Sequence, residues 1–332
     1  MPLIDYRYAP WQASYWPASL IVLSRKAKGR KLRHLALANP ALPDGGLFLF
    51  SKIDAAALLK RIGVPMPPFA IAENGRVLDD PDNVSAANGR VWVKPEFGMR
   101  KIGLDWRIGF AEALRATVGR PGRHLLQPEA PGREHSIGFL RSADGGLAVR
   151  WLVEKVNLEL IGDGSATLGA LIEASRRGRP KSMRKKLGAE WNEVLAISER
   201  RVLAPIGSFV WGSSFRNVEP YPSWAQLLAQ QLQCCAGLHC FKLDVILGAD
   251  GTARPIDLNG ANGGPQDAMV EPFNQGRVVP RLAEHLLEAI ECGWRNEQAG
   301  AELPSWGEMR RKSRDMLRTL RRLKKGAPQS PP

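Results

Sequence analysis

Residues 241–264 read FKLDVILGADGTARPIDLNGANGG, two short apolar runs joined by a polar turn. Each run holds one carboxylate among apolar neighbours, Asp244 in the first and Asp257 in the second. Ionised carboxylates away from water are costly unless paired or metal-bound, so the hairpin predicted here must bring partners to both. Side chains alternate across a strand, which turns Asp244 and Asp257 to one face and places Lys242 and Asn259 beside them. Two carboxylates and a carboxamide oxygen form a hard oxygen set suited to Mg2+. Lys242 adds a cation able to neutralise charge developing on a transferred phosphoryl or acyl oxygen.

The remaining pattern alternates helices with antiparallel strands, which predicts an α+β fold in several layers. A helix begins near Asp54, buries Ala57, Leu58, Leu59 and Ile62, and stops at Gly63. RVWVKP at 90–95 reads as a strand, FAEALRATVG at 110–119 as a helix, and the long run from 124 to 160 as strands with a turn at Asp144-Gly145. ATLGALIEASRR and YPSWAQLLAQQLQCCAGL read as helices, and the last six residues, APQSPP, as disordered.

The chain has 47 Lys and Arg against 33 Asp and Glu, a net charge of +14, and the location of the excess matters more than its size. Residues 310–325, RRKSRDMLRTLRRLKK, hold nine basic residues and one Asp. Met316, Leu317, Leu320 and Leu323 recur there at helical spacing, predicting a basic amphipathic helix that rests its apolar stripe on the body. The alternative for such a tail is contact with an anionic membrane surface or nucleic acid. A second basic run, SRRGRPKSMRKK at 175–186, reads as a flexible loop that closes over phosphates or attracts an anionic substrate. No apolar run approaches the roughly 20 residues of a membrane-spanning helix, and the N-terminal stretch lacks a signal-peptide pattern. Cys234, Cys235, Cys240 and Cys292 show no zinc spacing, and the five histidines form no metal-like pair, so a reduced, cytoplasmic setting is expected.

Two further stretches carry chemistry. In WVKPEFGMRKIGL, a Lys at a strand end precedes a loop with Gly98 and Gly103. The glycines let backbone N–H groups approach phosphate oxygens, while Lys94, Arg100 and Lys101 supply charge. In LLQPEAPGREHSIGFL, the extended segment Gln127–Glu129 can hydrogen-bond an adenine edge, and Glu134 can accept ribose hydroxyls. Taken singly, each also fits an ordinary surface loop.

In this order, SK at 51–52, GVPMPP, VKPEFGMRKIGL, QPEAPGREHSI, LIGDGSATLGALI and LDVI…PIDLNGANGG resemble the ATP-grasp superfamily of carboxylate–amine ligases. The Gly162-Asp163-Gly164 turn before a helix is similar to the cyanophycin synthetase and glutamate-ligase-like branch. The resemblance spans about residues 48–280. It implies two α+β subdomains clasping ATP: an N-terminal lobe at 51–130 and a C-terminal lobe with the metal site at 131–295. These follow a short α/β segment at 1–50 and precede a basic helical tail at 296–332. By the same resemblance, Lys52, Lys94 and Lys155 hold phosphates and Gly98, Arg100 and Gly103 belong to the phosphate-covering loop. Gln127 and Glu129 are implied to lie along the adenine, Glu134 at the ribose, and Asp244, Asp257 and Asn259 at Mg2+. Lys242, Lys155 and Arg216 are the implied catalytic cations, with Arg216 and Asn217 along the acceptor pocket. The implied substrates are a small carboxylate and an amine, such as amino acids or peptides, and dimers are common among such ligases. Here Asp257 stands where Glu is common, Lys101 where a third glycine is usual, and Lys242 where Arg is frequent, so a bidentate clamp becomes a point charge. A fold of this kind without turnover is the alternative.

Overall fold

Two antiparallel five-stranded sheets organise the computed structural model, which describes residues 30–98, 103–175, 180–203, 207, 212–260 and 278–326. The first sheet is built from β1 (Ala70–Glu73), β2 (Arg76–Asp79), β3 (Arg90–Pro95), β4 (Asp105–Ile108) and β5 (His124–Pro128), in the order β2-β1-β5-β3-β4. One face carries Ala70, Ala72, Val91, Val93 and Leu126 against Phe110 and Ala113 of a short helix, Phe110–Arg115. On the other face Leu125 packs with Phe69 and with Ile53 and Ala56 of α1 (Lys52–Arg61). Register pairs Lys94 with Leu125 and Trp92 with Gln127, so Lys94 and Gln127 also belong to this second face.

The second sheet comprises β6 (Arg133–Arg141), β7 (Leu147–Val156), β10 (Ser214–Asn217), β11 (Cys240–Leu247) and β12 (Ala253–Asn259), ordered β10-β7-β6-β11-β12. Ile137, Phe139, Leu152, Leu243 and Val245 form its apolar face, covered by Ala225, Leu228 and Leu232 of the helix Ser223–Leu232. Ala55 and Leu59 of α1 join this core. Since Ile53 and Ala56 belong to the first lobe's core, a single ten-residue helix fastens the two lobes together. Between β7 and β10, β8 (Glu159–Ile161) and β9 (Arg200–Val202) pair around Leu160, Leu168, Ile172, Met183, Trp191 and Leu195.

Three local expectations are revised. Residues 30–50 were expected to be α/β; the turns Leu32–Leu37 and Pro43–Gly46 are 3-10 helical instead. Proline at 43 and left-handed backbone at Asp44 (φ 51°) and Gly45 (φ 63°) stop any longer helix. The basic run at 175–186, expected as a loop, is helical over Pro180–Leu187, where buried Met183 ties it to the small module. The helix expected over 110–119 ends at Arg115.

The C-terminal region forms two long helices, Val278–Gln298 and Trp306–Gly326. Of the stripe expected in the tail helix, Leu320 and Leu323 are buried while Met316 and Leu317 are half-buried; Met309, two turns earlier, is buried too and packs on Ala36 and Phe48. Among the described residues no helix is long and apolar enough to cross a membrane, and all four cysteines are free thiols.

Gly293 allows the helix Val278–Gln298 to lie directly on the turn Leu32–Leu37: a Cβ there would stand 1.8 Å from the carbonyl oxygen of His34. Gly293→Ala should destabilise the fold by about 2 kcal/mol, overpacking outweighing the better helix propensity of alanine. Gly89→Ala, which meets nothing within 4 Å, should stay within about 0.5 kcal/mol in the same urea melts.

Candidate active site

Antiparallel pairing places Lys242 opposite Asn259 and Asp244 opposite Asp257, so all four side chains share the sheet face away from the main core. β6 pairs Ser136 with Asp244, and alternation brings Glu134 to the same face. β7 contributes Lys155, two residues beyond Val153, which lies opposite Ser136. Lys155 Nζ donates to Glu134 Oε1 at 2.7 Å and to Asp244 Oδ1 at 2.9 Å. Lys242 Nζ lies 3.4 Å from Asp244 Oδ2, and the Ser136 hydroxyl donates to Asp244 Oδ1.

Burial would lift the Asp244 carboxyl, but Lys155 and Lys242 more than offset this and hold it well below the usual carboxylate range. For Lys155 burial pulls the other way, and Asp244 with Glu134 overcomes it to raise the ammonium above its ordinary value. Lys242 ends lower than usual: burial dominates, Asp244 compensates only in part, and neighbouring Lys155 repels it.

The first lobe supplies the other half. Ser51 caps α1, its hydroxyl accepting from Asp54 N–H, so Lys52 occupies the first helical position. From there Lys52 Nζ reaches Asp257 Oδ1 at 2.5 Å, joining the lobes. Lys94 Nζ donates to Gln127 Oε1 at 2.6 Å and to the Ile256 carbonyl at 3.0 Å, again crossing between lobes. Burial lowers the Lys94 ammonium to about 8, with Asp257 opposing the shift only in part. Lys52, Met66, Lys94, Leu125, Gln127 and Ile256 line a small cavity at this junction. Together Lys52, Lys94, Lys155 and Lys242 set four cations against the carboxylates of Glu134, Asp244 and Asp257, leaving one positive charge for an anion.

Not every expected residue joins this cluster. Glu129 continues past the end of β5, where its N–H donates to the Arg90 carbonyl and its carboxylate pairs with Arg90 at 2.6 Å. Arg216 is turned to the opposite sheet face: its register partner is Glu154, to which its guanidinium is bonded, and Glu154 alternates with Lys155. Glu134 is at the cluster with both oxygens engaged, one by Lys155 and one by the Gly207 N–H at 2.5 Å. Gly98 and Gly103 flank the loop after β3, and Gly103 (φ 75°) packs against Pro95; Arg100 lies outside the described residues.

Two contributors escape sequence reading. Ser136 was legible in retrospect, since it lies two residues beyond Glu134 on one strand. Glu96 was not: it is buried after Lys94 and accepts from Ser51 Oγ at 2.9 Å and Arg123 Nε at 3.0 Å, a link between chain positions 45 and 27 residues apart.

The donor set fits a Mg2+ ion. Asp244 and Asp257 oppose one another, and Asn259 presents a carboxamide whose buried Nδ2 has no partner among the described residues. Among those residues no group of three His, Cys, Asp or Glu gathers as a metal cage. An ion here would therefore hold two carboxylates and a carboxamide and take its other ligands from water or phosphate, as Mg2+ commonly does.

A scan of protein-family models finds none that matches, and a comparison with curated proteins finds no related sequence. Solved structures do match. D-alanine–D-alanine ligase from Bacillus anthracis superposes with a TM-score of 0.50 at 12% identity, covering 78% of this chain and 72% of that one. The chain has the ATP-grasp fold. D-alanyl-alanine synthetase A from Vibrio cholerae aligns at 14% identity over 75% of this chain and 67% of that one, with a TM-score of 0.45.

Lys94 provides a test of cost against use. Its folded-state value near 8 lies below the 10.5 of a free lysine, so the fold is penalised in full below pH 8 and not at all above pH 10.5. Lys94→Met should therefore raise stability at pH 7 by on the order of 1 kcal/mol, after allowing for the lost hydrogen bonds. Chemical melts should show that gain shrinking between pH 8 and pH 10.5.

Proposed function

We propose that the chain is an ATP-dependent carboxylate–amine ligase that works with Mg2+. The observation that carries this reading is the meeting of Lys52 and Lys94 from one lobe with Asp257 and its strand neighbours from the other. Such a site combines cations for phosphate oxygens with a hard oxygen pair for a divalent ion, and no buried Ser-His or Cys-His nucleophile is needed for the chemistry. The likeness in fold to a ligase that joins two alanines supports the same reaction class.

In this reading the γ-phosphoryl group of ATP passes to a substrate carboxylate, giving an acyl phosphate and ADP. An amine then attacks the acyl carbon, forming the amide and releasing phosphate. Mg2+, when bound, would supply positive charge that offsets the charge of the phosphates. Lys52 and Lys94 hold the phosphates at the lobe junction. Lys155 and Lys242 set positive charge beside the transferring group, and Glu134 with Ser136 keeps Lys155 and Asp244 in register. Asp244, Asp257 and Asn259 are the assigned metal ligands. Gln127, beside Lys94, lies along the nucleotide base. Gly98 and Gly103 frame the loop over the phosphates.

The finer assignment is to the branch similar to cyanophycin synthetase. Its support is the Gly162-Asp163-Gly164 turn, in which Asp163 accepts from the Ser165 and Ala166 N–H groups and Thr167 caps the helix Leu168–Ala174. The substrates in this reading are amino acids or peptides, and the setting is cytoplasmic.

Release of ADP from ATP and Mg2+ should depend on a member of an amino-acid and peptide panel. Asp257→Asn should reduce that release at least 100-fold while moving stability by less than about 1 kcal/mol, because its partner Lys52 is partly solvated. Nucleotide binding without ADP release on any panel member would instead mark a non-catalytic nucleotide-binding protein.

A further inference from the structure

The tail helix Trp306–Gly326 has two dissimilar sides. At 100° per residue, Met309, Ser313, Leu320 and Leu323 fall on one side, and all four are buried. Arg310, Arg311, Arg314, Arg318, Arg321 and Arg322 fall together within an arc of about 120° on the opposite side, and all six are exposed. Every residue from 310 to 322 in that arc is arginine. Asp315 and Thr319 lie beyond its edge. Arg318 pairs with Asp315 at 3.2 Å and Arg311 lies within reach of the Glu308 charge, so two carboxylates at the arc's edge stand against six arginines.

A solvated helix face ordinarily mixes charges, because like charges three or four positions apart repel. Here 310–314, 314–318 and 318–322 are like-charged at four, and 311–314 and 318–321 at three. This face is therefore unfavourable in isolation and relieved by a polyanion. Its composition narrows the choice. The apolar side is already used against the body, so it cannot enter a bilayer. Six arginines spread over about 18 Å and a third of the circumference can meet two rows of charge rather than one thread. Guanidinium forks suit phosphate oxygens bidentately. No aromatic, Asn or Gln side chain shares the arc, so nothing on it stacks on unpaired bases or reads base edges.

We propose that this face docks the phosphate backbone of a double-stranded nucleic acid, without sequence preference, independently of the ligase site. The full-length protein is titrated by fluorescence anisotropy with a 24-base-pair duplex across 50–200 mM salt. Binding should be saturable, and its logarithmic salt slope should approach about −0.9 per phosphate neutralised. Arg314→Gln/Arg318→Gln/Arg322→Gln should weaken binding at least tenfold at 50 mM salt and reduce the slope by about 2 to 3. That variant should melt no lower than the parent, and ATP turnover should be unchanged. A control with the same charge change in the first lobe, Arg61→Gln/Arg76→Gln/Arg115→Gln, should stay within about twofold of the parent. No binding by the parent, equal loss in the two triple variants, or an unchanged slope would overturn the proposal. So would tighter binding to polyglutamate or to phosphatidylglycerol vesicles than to the duplex.

Discussion

Everything at the centre of this protein follows from placing Asp244 and Asp257 on adjacent strands within a largely buried sheet. Asp244 is largely buried and is costly there without cations, Asp257 is partly solvated, and the cations that meet them come from different parts of the chain. Asp244 is served from its own sheet by Lys155 and Lys242, whereas Asp257 is served by Lys52 from the other lobe. The electrostatic demand of one hairpin thus becomes a reason for two lobes to meet. α1 satisfies that demand mechanically, since its apolar sides enter both cores while its first residue carries Lys52.

The cluster is not built for stability. Lys94 and Lys242 are each held below their ordinary ammonium values by burial that nearby acids do not fully offset. Replacing buried ionic groups with well-packed apolar ones is often neutral or favourable, so retaining four lysines around three carboxylates points to use rather than to folding. The surplus positive charge suits a polyphosphate, and the paired carboxylates suit the cation that accompanies one. A bound nucleotide with its metal would complete both halves of the charge pattern.

The hairpin itself was legible in the sequence, because alternation fixes which residues share a face: Lys242, Asp244, Asp257 and Asn259 lie together as their spacing requires. The tail helix was legible for the same reason at a helical period. Where sequence reasoning fell short, the missing information was long-range. Arg216 was placed by neighbourhood along the chain, but one step of strand alternation turns it away from Lys155 and toward Glu154. Glu129 was expected along the adenine, and its carboxylate is held by Arg90 from the adjoining strand. The Glu96 link to Ser51 and Arg123 depends on packing between segments that no local pattern connects. The basic run at 175–186 looked like a loop because its charge hides the buried Met183 that anchors the helix Pro180–Leu187.

Calorimetric titration of the full-length protein with a non-hydrolysable ATP analogue, with and without Mg2+, tests the central claim most directly. The account predicts one nucleotide bound per chain, with affinity rising at least tenfold when Mg2+ is present, because Asp244 and Asp257 would hold the ion that accompanies the phosphates. Absence of binding, or binding that Mg2+ leaves unchanged, would contradict it.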